Sequence, residues 1–142
     1  MGNTVLSERD QFLLEFEKAL SSSETLYQKI MNMIKSKNIS MNEFYDETKI
    51  SRNILKDIKT KNKRPSLKTV ISICIGLHLE TIESYKLIHL AGYELSDTIL
   101  LDRAYSELIS HYNDCGIKDC NARLRELGFE KESELLGTQQ RV

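Results

Sequence analysis

Proline occurs once in this chain, at Pro65, and glycine only six times in 142 residues. That scarcity excludes a β-sandwich or barrel, which needs turn-forming residues at every reversal of the chain. No apolar run approaches the roughly 18 residues that cross a bilayer. The opening MGNTVLSERD has no cationic stretch followed by an apolar one, so no secretory signal is expected. Leu6 stands where the myristoylation pattern wants Ser or Thr. Cysteine is sparse and odd in number: Cys74, Cys115 and Cys120. With Cys74 inside an apolar stretch, reduced thiols and a cytoplasmic location are expected rather than a disulfide framework. His111, Cys115 and Cys120 fit no common zinc spacing and lack a fourth ligand, so no metal is expected.

Chemistry of other kinds is equally thin. No nucleophile–base pairing, phosphate-binding glycine loop or metal pair is visible, and His78, His89 and His111 lie on or beside apolar helical faces. The chain does not read as an enzyme, and no cofactor is expected. RNA binding is disfavoured because aromatic residues do not interleave with the cations.

What is present is helical periodicity. Apolar residues make up 40% of the chain and charged ones 29%, arranged in long stretches of helical spacing, so the fold class is all-α. Phe12, Leu13, Phe16 and Leu20 mark an amphipathic helix from about Ser7 to Leu20, with Ser21, Ser22 and Ser23 breaking it and capping the next. Leu26, Ile30, Met33 and Ile34 mark a second helix. Ser40 caps a short third helix that turns Phe44 and Thr48 inward. Ser51 caps a fourth, with Ile50 and Leu55 as the arms of a hydrophobic staple. Two short helices so closely spaced form a helix-turn-helix. Pro65-Ser66 restarts the chain into a strongly apolar helix carrying Leu67, Val70, Ile71, Cys74, Ile75 and Leu77. Thr81 starts the next, with Ile82, Tyr85, Ile88 and Leu90, stopped by Gly92. A helix over 97–112 is expected to bury Ile99, Leu100, Ala104, Leu108 and Ile109. A last one runs from Ile117 to Leu127, ends at Gly128, and precedes a frayed tail beyond Gly137. The expected division is 1–22, an N-terminal helix; 23–93, the helix-turn-helix domain; 94–137, a helical extension; and 138–142, a tail.

Charge is distributed unevenly. The total is only −1, yet Lys49, Arg52, Lys56, Lys59, Lys61, Lys63, Arg64 and Lys68 face a single acid, Asp57. That segment carries +7, leaving −8 for the rest. With Leu55 and Ile58 inward, the opposite face of the fourth helix presents Asn53, Lys56, Asp57 and Thr60, flanked by Arg52 and Lys59. A solvated helix intersperses its signs, as the first helix does; segregation on this scale points to a polyanion. Duplex DNA suits it, because the major groove admits one α-helix and cations around that helix neutralise phosphates.

The stretch NISMNEFYDETKISRNILKDIKTKNKRPSLKTVISICIGLHL, residues 38–79, resembles the lambda-repressor-like, or Xre-family, helix-turn-helix regulators. The matching elements are Ile39-Ser40, Phe44, Ile50-Ser51-Arg52, Leu55, Ile58, Arg64-Pro65-Ser66-Leu67 and Gly76-Leu77. The resemblance implies a five-helix domain over about 26–92, with an extra N-terminal helix and C-terminal helices added. It implies a recognition helix at about 51–60 that reads bases with Arg52, Asn53 and Asp57. Phosphates would be held by Ser40 and Met41, by Ser51, Lys56 and Lys59, and by Lys61, Lys63 and Arg64. Asp57 has a second reading, as the i,i+4 partner of Lys61. The sequence departs from the family at Tyr45, where a small residue is usual, and at Lys49, where glycine is usual; Lys49 is therefore expected to adopt an uncommon backbone conformation. The function implied is a sequence-specific double-stranded DNA-binding repressor that acts on its operator as a homodimer, with no membrane partner. The alternative is an antitoxin or defence-system accessory protein that grips a protein partner through 94–137 and autoregulates through the helix-turn-helix.

Overall fold

Between residues 26 and 77 the buried apolar residues fall in the spacing that the sequence predicts. The structure, a computed structural model, describes residues 7–22 and 25–138, except the side chains of 18–22. Among them are eight helices and no strand: α1 Glu8–Ser22, α2 Leu26–Ser36, α3 Met41–Thr48, α4 Asn53–Lys61, α5 Leu67–Gly76, α6 Thr81–Leu90, α7 Leu100–His111 and α8 Ile117–Glu126. None of them is long and apolar enough to cross a membrane.

The middle of the molecule is α5. Every residue from Thr69 to Gly76 is buried, so this helix is enclosed on all sides by others. The Ser66 hydroxyl accepts from the Thr69 amide and starts α5 as expected. Against α5 pack α3, α6, α7 and α8, while α2 packs on α4 and α6. At the α3–α5 crossing the backbones approach so closely that a Cβ on Gly76 would lie 2.8 Å from Thr48 Cα and 2.9 Å from Thr48 N. One apolar cluster runs from Ile30 and Ile34 on α2 through Phe44, Leu55, Ile58 and α5 to Leu108, Leu124 and Leu136. The core therefore extends through the C-terminal helices and the irregular segment that follows α8.

Local signals explain the helix ends. Thr25 and Gln28 form a reciprocal capping box at the start of α2. Ser40 caps α3 through the Glu43 amide. Lys49 closes α3 at φ 57° and ψ 26°, the left-handed conformation expected from its place where glycine is usual. Gly128, at φ 94°, follows α8.

Four expectations need correction, and the apolar side of α1, for which no burial was expected, is found exposed. The first helix continues through Ser22, and the cap of α2 is Thr25; Ser23 lies outside the described residues. The α1 side chains Phe12, Leu13, Leu14 and Phe16 are exposed, Phe12 at 63%, and none joins the core. The cap residue of α4 is Arg52; Ser51 lies one position earlier, where its hydroxyl accepts from the Asn53 amide at 3.3 Å. On α6 the inward face is Ser84, Leu87 and Ile88, while Ile82 (69%), Tyr85 and Leu90 are outside. The helix starts at Thr81, so two apolar stripes were available, and the one continuous with Ala91 won. On α7 the helix begins only at Leu100, after a turn over 97–99, and Ile99 and Leu100 are exposed. Asp102, accepting from the Ser96 amide at 2.9 Å, holds that turn and takes an inward position itself. The expected frayed tail falls mostly on 139–142, outside the described residues; Thr138 is held in place.

Candidate functional site

Residues 49–52 connect α3 to α4, and the two helices share the core through Phe44, Thr48, Leu55 and Ile58. Ile50 and Leu55 are both buried in the shared core, which fixes how the chain runs into α4; with Arg52 as the cap, they do not occupy the two positions of the expected staple. With Leu55 at 3% and Ile58 at 7% exposure, α4 is pinned from behind. Its other face carries Arg52, Asn53, Lys56, Lys59 and Thr60, all exposed, with Asp57 half-buried beside them. The helical period thus sorts the charges of the basic stretch onto the outer surface.

The cations on this surface have different partners. Arg52 leans back across the turn: its Nη2 donates to Asn42 Oδ1 at 2.9 Å and its guanidinium lies 4.9 Å from the Tyr45 ring centroid. The Tyr45 hydroxyl in turn donates to the Arg52 carbonyl at 3.3 Å. Desolvation raises the Tyr45 pKa above its ordinary value, the Arg52 charge opposing, so this hydroxyl stays a donor at neutral pH. A planar, stacked guanidinium with one edge already bonded is held in a fixed orientation. Lys59 Nζ lies 5.4 Å from the Tyr27 ring centroid on α2. Lys61 Nζ lies 3.7 Å from Asp57 Oδ1, so the i,i+4 pairing is the one formed. Lys49 pairs with Asp46 at 3.3 Å. Lys56 and Lys63 extend outward with no partner recorded among the described residues.

Arg64 is placed differently from its neighbours. Its Nε donates to the Ala91 carbonyl at 3.0 Å, its Nη2 to the Gly92 carbonyl, and its guanidinium stacks 3.8 Å from the Tyr93 ring centroid. Tyr93 Oη donates to the Pro65 carbonyl at 2.7 Å. Arg64 therefore closes the C-terminus of α6 and fastens the basic loop, which leaves Lys63 as the outward cation there. At the other edge the Ser40 hydroxyl is engaged by the Glu43 amide, and the Met41 and Asn42 amides have no acceptor within their own helix. Ser51 is exposed between the two helices.

The surface so assembled exposes Arg52, Asn53, Lys56, Lys59, Lys61 and Lys63, with Asn42 and Tyr45 of α3 bonded to Arg52 across the turn. Asn42, Tyr45 and Tyr27 were missed by the sequence reading. Tyr45 did carry a signal, standing where a small residue is usual beside a turn that ends in an arginine. Among the described residues no three of His, Cys, Asp and Glu converge as metal ligands would. No family model, curated protein or solved structure matches the chain.

Proposed function

We propose that this chain is a sequence-specific double-stranded DNA-binding regulator, a repressor that reads the major groove with α4. One observation carries the reading: the polar and cationic face of α4 is exposed along its length while Leu55 and Ile58 anchor the opposite face in the core. A groove about 12 Å wide accepts such a helix. Under this reading α2 to α6 form the five-helix domain of the Xre-family regulators that the sequence resembles, with α3 and α4 as the helix-turn-helix.

Roles follow from chemistry. Arg52 suits guanine O6 and N7, and Asn53 suits adenine N6 and N7, each as a bidentate pair. Asp57 suits a cytosine amino group, with its carboxylate shared between that donor and Lys61. Lys56, Lys59, Lys61 and Lys63, with the Met41 amide at the N-terminus of α3, hold phosphates and supply affinity independent of sequence. Arg64 adds positive potential and keeps the loop in place. The acidic remainder of the chain confines that potential to one side. Bound at a promoter, the protein excludes polymerase from it. The exposed apolar side of α1, with Phe12 and Phe16 stacked at 5.9 Å, supports a homodimer that spans half-sites about 34 Å apart.

A second reading has its own observation. Leu100, Ala104, Leu127 and Phe129, with the charged Arg103 and Glu107, line an open depression of about 270 Å³ on the C-terminal helices, with Leu100 68% exposed. Such a surface suits the protein partner of an antitoxin or defence-system accessory protein. Capture from the native host of a stoichiometric partner that is lost in Leu100→Asp favours the second reading. Selection of bound sites from random duplex DNA tests the α4 reading that both share: a palindromic consensus supports it and a two-fold assembly, and recovery of no consensus rules it out.

A further inference from the structure

The segment after α8 has no regular structure, yet between residues 132 and 138 it is held at several points. Tyr105 Oη on α7 donates to the Glu134 carbonyl at 2.7 Å, and Lys68 Nζ on α5 donates to the Glu132 carbonyl at 2.7 Å. The buried Asn121 of α8 takes Leu136 as a neighbouring strand would: its Nδ2 donates to the Leu136 carbonyl at 3.0 Å and its Oδ1 accepts the Leu136 amide at 2.7 Å. The Gly137 amide donates to Ser72 Oγ on α5 at 2.8 Å. Beyond it, the Thr138 amide donates to the carbonyl of Lys49 at 2.6 Å. Leu135 and Leu136 are buried in the core.

The last of these bonds falls on the left-handed residue that turns the chain from α3 toward α4. Gly137 is fitted to that place in two ways. Its φ is +72°, and a Cβ there would stand 2.7 Å from Lys49 Cβ and 3.2 Å from the Lys49 carbonyl oxygen. Lys49 is itself a non-glycine residue at φ 57°, a strained conformation that persists only where its surroundings impose it.

We propose that residues 132–138 are a strap that sets the α3–α4 turn, and through it the presentation of α4, so that DNA reading is regulated from the C-terminal end of the molecule; this rests on the DNA-binding reading above. The strap transmits because its far end is accessible: Lys131, Glu132 and Ser133 are exposed, whereas Leu135 to Gly137 are enclosed. Asn121 and Ser72 are positioning residues in this scheme, acting on α4 through the strap without touching DNA.

The test needs a readout that does not depend on DNA. Gly137→Ala disturbs the strap by both φ and space, Ser72→Ala removes one anchor, and Glu132→Ala is a control, since only the Glu132 carbonyl is used. Amide hydrogen exchange over residues 49–54 is expected to speed up about tenfold in Gly137→Ala and Ser72→Ala, with Ile30 and Leu87 on α2 and α6 unchanged. Unchanged exchange at 49–54, or an equal rise in all helices, overturns the strap. Where the wild-type chain binds duplex DNA, both variants bind more weakly by a similar factor with the same salt slope, because no phosphate contact is removed. Equal affinity despite local loosening overturns the proposal. A wild-type chain that binds no duplex overturns the functional reading instead, and exchange then decides the strap alone.

Discussion

Arg52 and Lys63 are both exposed cations of the basic stretch, but under the proposed DNA-binding reading their surroundings suit them to different work. Arg52 is oriented by Asn42 and the Tyr45 ring, whereas Lys63 projects with no partner recorded among the described residues. An oriented guanidinium discriminates among bases; a mobile ammonium neutralises phosphate wherever it meets it. Arg52→Ala is therefore expected to relax base preference at one operator position, at a cost of about 1–3 kcal/mol. Lys63→Ala is expected to weaken binding to every duplex alike and to lower the salt slope by about one. Site selection repeated with each variant, with salt titrations beside it, checks both. An Arg52→Ala consensus identical to the wild type's removes the base-reading role. A Lys63→Ala salt slope equal to the wild type's removes the phosphate role.

At the scale of elements, the α3–α5 crossing governs how α3, and with it the turn, sits on the core. Thr48 is fully buried and donates its hydroxyl to the Phe44 carbonyl at 2.8 Å, so its side chain has no room to swing aside. Gly76→Ala drives a methyl into Thr48 Cγ2 and the Thr48 backbone. The expected loss of stability is about 2–3 kcal/mol, read from urea unfolding. Adding Thr48→Ser removes the Cγ2 contact but leaves the backbone one, so it recovers only a minor part. Stability within a few tenths of the wild type would show that the helices separate freely. Gly76 was legible as part of the apolar helix that ends at Gly76-Leu77, and so were the inward residues of α2 to α5, where one apolar stripe stands against a polar one. The sequence was ambiguous on α6 and α7. Ile82, Tyr85 and Leu90 compete with Leu87 and Ile88 for the inward face, and periodicity cannot rank two apolar stripes. Asp102 was illegible as an inward residue, because its burial depends on a turn amide six positions earlier. Arg64 was read as one more cation for the same reason: its acceptors, Ala91 and Gly92, are distant in sequence and belong to backbone.

The molecule as a whole responds to pH through groups that its core keeps neutral. Burial pushes the Cys74 thiol up to about 12, and burial, then Cys115 and Asp119, pushes Cys120 up to about 12. Tyr105 is raised too, by burial first and by Glu134 and Asp102 after it. In each case the folded pKa lies above the unfolded one, so the fold favours the protonated form. That contribution is fully present below the unfolded thiol pKa of about 8.5 and is lost as pH rises toward 12. Unfolding free energy is therefore expected to be insensitive to these groups at pH 7 and to fall above about pH 9, by up to about 1.4 kcal/mol per pH unit for each thiol. Urea midpoints measured from pH 7 to 10.5 check the direction. The variant Cys74→Ala, less stable throughout, should show a shallower decline because one titrating group is gone. A profile that stays flat to pH 10.5 would mean that water reaches α5 and α8, and that the core joining the C-terminal helices to α3 and α4 is looser than its burial implies. The same core carries the strap to Lys49, so a flat profile would also weaken the path by which the C-terminal end acts on α4.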